Sequence, residues 1–212
     1  MNPRTLDHVA FWVADWDSIA DAVVERLGMH VIERTDAFTL VGADARRGKL
    51  TLFAAEGPRE RGALKHVAWR VPEIDGDAAL ELGEGVRIVL VEGEPDLDHV
   101  ALYSHDPEAT ASEYASYGFD RADPGPSGCP RVEVGGAWIE FHPGEPDLPE
   151  KPLLNHIAVL VDSADEHIAA ANDLGIEIDD IKDAPNTYAV FLRGPEGVRI
   201  EYVEHKPTFS LT

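Results

Sequence analysis

Four histidines stand in one repeated context: Leu6-Asp7-His8-Val9-Ala10, Leu64-Lys65-His66-Val67-Ala68, Leu97-Asp98-His99-Val100-Ala101 and Leu154-Asn155-His156-Ile157-Ala158. Each opens an apolar, β-rich run, and alternate residues of a strand share a face. His99 therefore looks the same way as Ala101 and Tyr103, and His156 the same way as Ala158 and Leu160. Two later runs carry acids in matching alternation: Trp138, Glu140 and His142 share one face, and Arg199, Glu201 and Val203 another. Strands curled about a cavity would bring His99, Glu140, His156 and Glu201 to one centre. Two imidazoles with one or two carboxylates bind a divalent ion and leave positions open to a substrate, which is a catalytic arrangement.

The elements that must place these residues recur with them. The histidines lie 58, 33 and 57 residues apart, so the chain reads as a duplicated half, each half a pair of related units. The first unit gives a strand from His8 to Val13, then apolar residues at helical spacing from Trp16 to Leu27 closed by Gly28. Strand patterns follow at Met29–Arg34, Phe38–Val41 and Lys49–Phe53. The third unit repeats the order with Pro107 at the helix start and Gly118 after Tyr117. The fourth does so with Ile168–Leu174, Gly175, and strands at Ile176–Ile181, Tyr188–Leu192 and Val198–Val203. The unit is βαβββ. The second unit is too short for it, and reads as a strand, a short helix around Ala78–Leu82 and one strand, Val86–Val91, with a hairpin lost. Turn-rich joins at Gly57–Ala63 and Pro143–Pro152 connect the units. The expected class is α+β, with tandem βαβββ units forming two open half-barrels: residues 1–95 as the N-terminal half and 96–212 as the C-terminal half.

The halves differ at the acids. Aligning Gly48–Phe53 with Gly136–Phe141 sets Leu52 against Glu140, and aligning Gly85–Val89 with Gly197–Glu201 sets Val89 against Glu201. An inward carboxylate without a partner is costly, so the later half, which keeps both acids, is the expected metal site. His8 and His66 are read as inherited packing. Glu92 faces away from the cavity.

Composition narrows the partners. The 212 residues include 18 basic and 40 acidic side chains, a net charge of −22, with 44% apolar and 27% charged residues. Such a chain folds around a sizeable core. The acidic excess disfavours nucleic acid and anionic membrane surfaces. No apolar run of membrane-spanning length and no apolar signal core after Met1 occur, so a cytoplasmic location is expected. The single cysteine, Cys129, excludes an intrachain disulfide and a multi-thiolate metal site, and its place between Gly128 and Pro130 marks a loop thiol without a role.

With these residues in view, the chain from Leu6 to about His205 resembles the vicinal oxygen chelate superfamily, which includes glyoxalase I, extradiol ring-cleaving dioxygenases, epimerases and bleomycin- or fosfomycin-resistance proteins. The resemblance implies paired βαβββ units, one divalent metal ion, and His99, Glu140, His156 and Glu201 at the ligand positions. Two branches remain open. Extradiol dioxygenases use two histidines and one glutamate for Fe(II) or Mn(II), and His142, 14 residues before His156, is similar to their acid–base histidine. Val190–Glu201 partly resembles their C-terminal signature, with Phe191 in place of a tyrosine, Tyr188 three residues off, and Lys182 in place of a histidine. A full His, Glu, His, Glu set resembles glyoxalase I, which implies Zn(II) or Ni(II) and Glu140 as ligand and proton carrier; alternatively Glu140 only supports a ligand histidine. A third expectation is a metal-free protein that sequesters a small molecule. The dioxygenase branch leads. Tyr103, Trp138 and Phe191 are expected pocket residues, and His30, His105, His167 and His205 are expected to do nothing. A small-molecule substrate and a monomer or homodimer complete the expectation.

Overall fold

The computed structural model describes Met1–Thr212. The first unit runs from β1 (Thr5–Val13) through helix α1 (Trp16–Leu27) to β2 (His30–Arg34), β3 (Phe38–Asp44) and β4 (Arg47–Ala54). Helix α1 starts where Asp15 accepts a hydrogen bond from the Ser18 amide and stops at Gly28 in the left-handed region. The second unit has only β5 (Leu64–Val71), β6 (Ala79–Glu81) and β7 (Arg87–Glu92). The third comprises β8 (Asp96–Ser104), α2 (Pro107–Tyr114), β9 (Asp120–Ala122), β10 (Arg131–Val134) and β11 (Ala137–Pro143). The fourth comprises β12 (Leu154–Leu160), α3 (Ala164–Leu174), β13 (Ile178–Asp183), β14 (Thr187–Arg193) and β15 (Arg199–His205). No helix is long and apolar enough to cross a membrane.

The second unit corrects one expectation. Ala78–Leu82 is not helical: β6 pairs antiparallel with β7, Leu80 opposite Ile88, and it is the helix that has gone. The segment between Val71 and Ala79 holds Pro72 and Gly76 and has no room for a helix that could reach the core. Leu80 buries itself by pairing instead.

The sheets group the units in another order than the chain does. One has the order β13-β14-β15-β12-β1-β4-β3-β2 and the other β6-β7-β5-β8-β11-β10-β9. The first unit thus shares a sheet with the fourth, and the second with the third. Neither sheet corresponds to residues 1–95 or 96–212. The joins before β5 and before β12 carry the chain from one sheet to the other and back, and run side by side, with the Leu153 amide donating to Glu60 O at 2.7 Å. Neither sheet closes on itself, and each concave face is completed within one chain.

Strand alternation divides the faces. Val9, Phe11, Val13, Leu50, Leu52, Ile157, Ile200 and Tyr202 enter a core of 43 buried residues that spans both sheets. His8, Thr51, His156 and Glu201 take the other face.

Two acids lock the sheets together. Glu84 and Glu196 stand at matching points of the repeat, each before Gly-Val-Arg-Ile, and both hold positive φ, 49° and 54°. The Glu84 carboxylate accepts the Ala14 and Asp15 amides at the start of α1, at 2.6–3.1 Å. Glu196 accepts the His105 amide at 3.1 Å just before α2. Each acid thus reaches from one sheet to a helix start beside the other. Glu84→Ala keeps the backbone strain and loses the cap, and should cost about 1–2 kcal/mol in urea unfolding. Glu84→Gly relieves the strain and should cost less.

Candidate metal centre

The middle of the larger sheet builds the site. Antiparallel β1 and β12 place His8 opposite Ala158 and Ala10 opposite His156, so both imidazoles rise from the same face. Parallel pairing of β12 with β15 sets Glu201 beside Ala158. His8 Nε2 and His156 Nε2 come within 2.9 Å. Glu201 Oε2 lies 3.2 Å from the first and 3.0 Å from the second. These three residues form a compact group of metal-donor atoms.

The other ring nitrogens are held. His8 Nδ1–H donates to Asp7 Oδ1 at 2.7 Å, and His156 Nδ1–H to Asn155 Oδ1 at 2.9 Å. Both Nε2 atoms are thereby turned to the centre, as ligand histidines require. Asp7 is itself fixed by Lys49 Nζ at 2.8 Å and His205 Nε2 at 2.9 Å. Arg199 secures Asn155, donating to its Oδ1 at 3.2 Å. The donor set fits a divalent ion of intermediate softness.

Charge at the centre follows from the same contacts. Burial alone would lower His8, but its bonds to Asp7 and Glu201 outweigh that and raise it to about 9. Burial lowers His156. Burial would raise Glu201, but the charge of His156 and the bonds from both imidazoles bring it to about 2. Asp7 is likewise held low against its burial, by Lys49 first. With both Nδ1 protons committed, the proton on His8 Nε2 is what lets the two rings approach.

A divalent ion has to displace that proton. Apparent metal affinity should therefore rise about tenfold per pH unit from roughly pH 6.5 towards 9, read by competition with a chelator of known affinity. The metal-free protein should show the opposite trend. A raised histidine contributes stability that is fully present below about 6.5 and is lost as pH rises through about 9. Its melting temperature should fall over that window.

The four expected ligands do not meet. His99 and Glu140 lie in the smaller sheet, His156 and Glu201 in the larger, because the units pair first with fourth and second with third. His8, read from sequence as packing, occupies the place expected for His99. The expected alignment was also one residue out: Thr51, opposite Ala10, holds the position that Glu201 holds opposite Ala158, and Leu52 points into the core. A one-residue slip turns every side chain to the other face. One signal was overlooked: the residue before each histidine. Asp7, Asp98 and Asn155 can accept an Nδ1 proton, and Lys65 cannot.

The smaller sheet gathers a second cluster. His66 Nε2 lies 3.1 Å from His99 Nε2, and His99 Nδ1–H donates to Asp98 at 2.7 Å. Glu140 turns from this pair, 4.0 Å from His99, towards the Ser127 hydroxyl at 3.2 Å and His142 Nε2 at 3.5 Å. His142 Nδ1 meets Lys65 Nζ at 3.0 Å and Cys129 Sγ at 3.2 Å. Burial, with the charges of His99 and Lys65, lowers His66 to about 3. His142 stands in this second cluster, away from the triad.

A cavity of about 740 Å³ opens over the first cluster, with Trp12, Phe38, Phe53 and Phe191 in its walls. Phe191 meets the His156 ring edge-on at 5.2 Å. Tyr103 and Trp138, in the smaller sheet, are not among its lining residues. His205 and Lys49, neither expected to act, are both part of the centre's support.

Paired βαβββ units that share a concave sheet, with histidines from two opening strands and an acid from a closing one, define a class of protein. Residues 5–82 match the family model of the Glyoxalase/Bleomycin resistance protein/Dioxygenase superfamily. No curated protein sequence matches the chain. Its fold is similar to that of glyoxalase I from Zea mays, with TM-score 0.72, 15% identity, and coverage of 94% of this chain and 92% of that one. It is also similar to a candidate dioxygenase of Bacillus subtilis, with TM-score 0.68, 14% identity, and coverage of 98% and 87%. The chain thus resembles this superfamily in sequence over its first unit, and is similar in fold to these two proteins over nearly its whole length.

Proposed function

We propose that the chain is a metal-dependent enzyme acting on a small substrate with two adjacent oxygens, of the ring-cleaving dioxygenase kind. One observation carries this reading: His8, His156 and Glu201 meet, and Thr51 stands where a second carboxylate would. Two imidazoles and one carboxylate with open positions suit Fe(II) or Mn(II). When bound, such an ion supplies redox chemistry and adjacent coordination positions for a chelating substrate. Asp7 and Asn155 orient the two imidazoles. The aromatic walls clasp a planar body and exclude water. The Thr51 hydroxyl offers a hydrogen bond beside the open positions, and Asp7, held by Lys49 and His205, keeps the His8 ring turned to the centre. The glyoxalase-like alternative needs a second carboxylate at the centre, and Glu140 belongs to the other cluster.

The test uses protein purified anaerobically without chelators. Iron or manganese near one per chain, with oxygen uptake on addition of a catechol, supports the reading. Zinc or nickel with proton exchange on a 2-oxoaldehyde adduct, and no oxygen uptake, would replace it with the lyase or isomerase reading. Absence of metal would leave ligand sequestration.

A further inference from the structure

The cavity over the triad has a marked charge pattern. Among its lining residues five carboxylates stand against three Lys or Arg cations. Every one of those cations already has an acid: Lys49 with Asp7 at 2.8 Å, Lys182 with Asp180 at 2.9 Å, and Arg199 with Asp179 at 2.6 Å. No lining lysine or arginine is left to receive an anionic substituent, and a carboxylate brought in would meet like charge.

The apolar side of the cavity is completed by the segment after β15. Lys206 N donates to Asn186 O at 2.9 Å, Thr208 Oγ1 to Pro185 O at 3.3 Å, and Ser210 N to Asn186 Oδ1 at 3.0 Å, fastening the segment to the β13–β14 turn. This places Phe209 and Leu211 in the cavity wall. The Phe209 ring stacks on His205 at 4.4 Å and 23°, and the Arg46 guanidinium lies over it at 4.9 Å. His205 in turn holds Asp7, so this wall is built directly onto the support of the metal centre.

Resting on the function proposed above, we infer that the cavity selects a vicinal diol whose remaining body is aromatic and uncharged, with Phe209 as a specificity-determining residue. Trp12, Phe38 and Phe53 from the first unit and Phe191 from the fourth supply the remaining aromatic surface. An aromatic body gains area and ring contacts from these walls, whereas an anionic tail gains no counter-ion.

The test is anaerobic calorimetry on metal-loaded protein with three probes: catechol, a phenyl-substituted catechol and 3,4-dihydroxybenzoate. The phenyl probe should bind at least about tenfold more tightly than the carboxylate probe. Phe209→Ala should weaken the phenyl probe about tenfold and catechol much less, with metal content measured alongside so that each affinity is read per loaded site. Phe209→Leu should fall between. Equal binding of the phenyl and carboxylate probes, or an unchanged preference in Phe209→Ala, would overturn the inference. Failure of all three diols to bind a protein that holds its metal would overturn the proposed function as well.

Discussion

Under the proposed function, Glu201→Ala and His8→Ala should each leave a folded protein at least about a hundredfold weaker in binding a divalent ion, while Glu140→Ala should bind as the unaltered chain does. The difference follows from position alone. Glu201 Oε2 stands about 3 Å from both imidazole nitrogens, whereas Glu140 is engaged by Ser127 and His142 in the other sheet. Supporting contacts around a metal site are commonly worth 10–100-fold each, so loss of one of the three proposed donors should cost more. Elemental analysis after dialysis reads the result, and far-ultraviolet circular dichroism confirms the fold. Metal retained at one per chain in Glu201→Ala would remove the site from this cluster. Asp7→Asn is the informative companion: it keeps an acceptor for the His8 ring but removes the charge that holds the His8 proton. The pH dependence of metal binding should therefore flatten.

The second large effect concerns stability. Lys49 is 3% exposed and Asp7 1%, and Lys49 Nζ lies 2.8 and 3.0 Å from the two carboxylate oxygens and donates to Ala45 O at 2.9 Å. Lys49→Met strands a buried carboxylate whose ionised form Lys49 holds in place. Breaking such a pair from one side costs about 3–5 kcal/mol. Urea unfolding of the metal-free variant at pH 7 should show that loss, and adding Asp7→Asn should recover part of it, because the remaining partner no longer carries charge. If the single and double variants unfold alike, the pair is not a stabilising unit.

The sequence exposes the repeat and conceals its pairing. The helices closed by Gly28 and Gly175, and the turn that Gly118 closes after α2, are legible with the strands around them because their signals are local: a 3.6-residue apolar period, a capping side chain and a residue free to take positive φ. The smaller sheet's β6 was misread because five residues of mixed pattern suit helix and strand alike, and only pairing with β7 decides. Which units share a sheet leaves no local trace, since every unit has the same apolar faces. His99, Glu140, His156 and Glu201 are therefore correct in residue type but divided between two clusters. The Thr51–Leu52 slip has the same origin: both alignments satisfy composition, and only the parallel pairing of β1 with β4 chooses between them. His205 was invisible because its role is to hold Asp7, nearly the length of the chain away.

The interleaved order of units also sets a timetable. The second and third units are neighbours along the chain and can close their sheet as soon as β11 has been synthesised. The first unit cannot: one side of β1 waits for β12, and His8 waits for Glu201. Long-range pairings of this kind slow folding and leave a bare strand edge on the growing chain. The smaller sheet should therefore form early and the larger close late, and the ability to capture a metal ion should be the last property to appear during refolding.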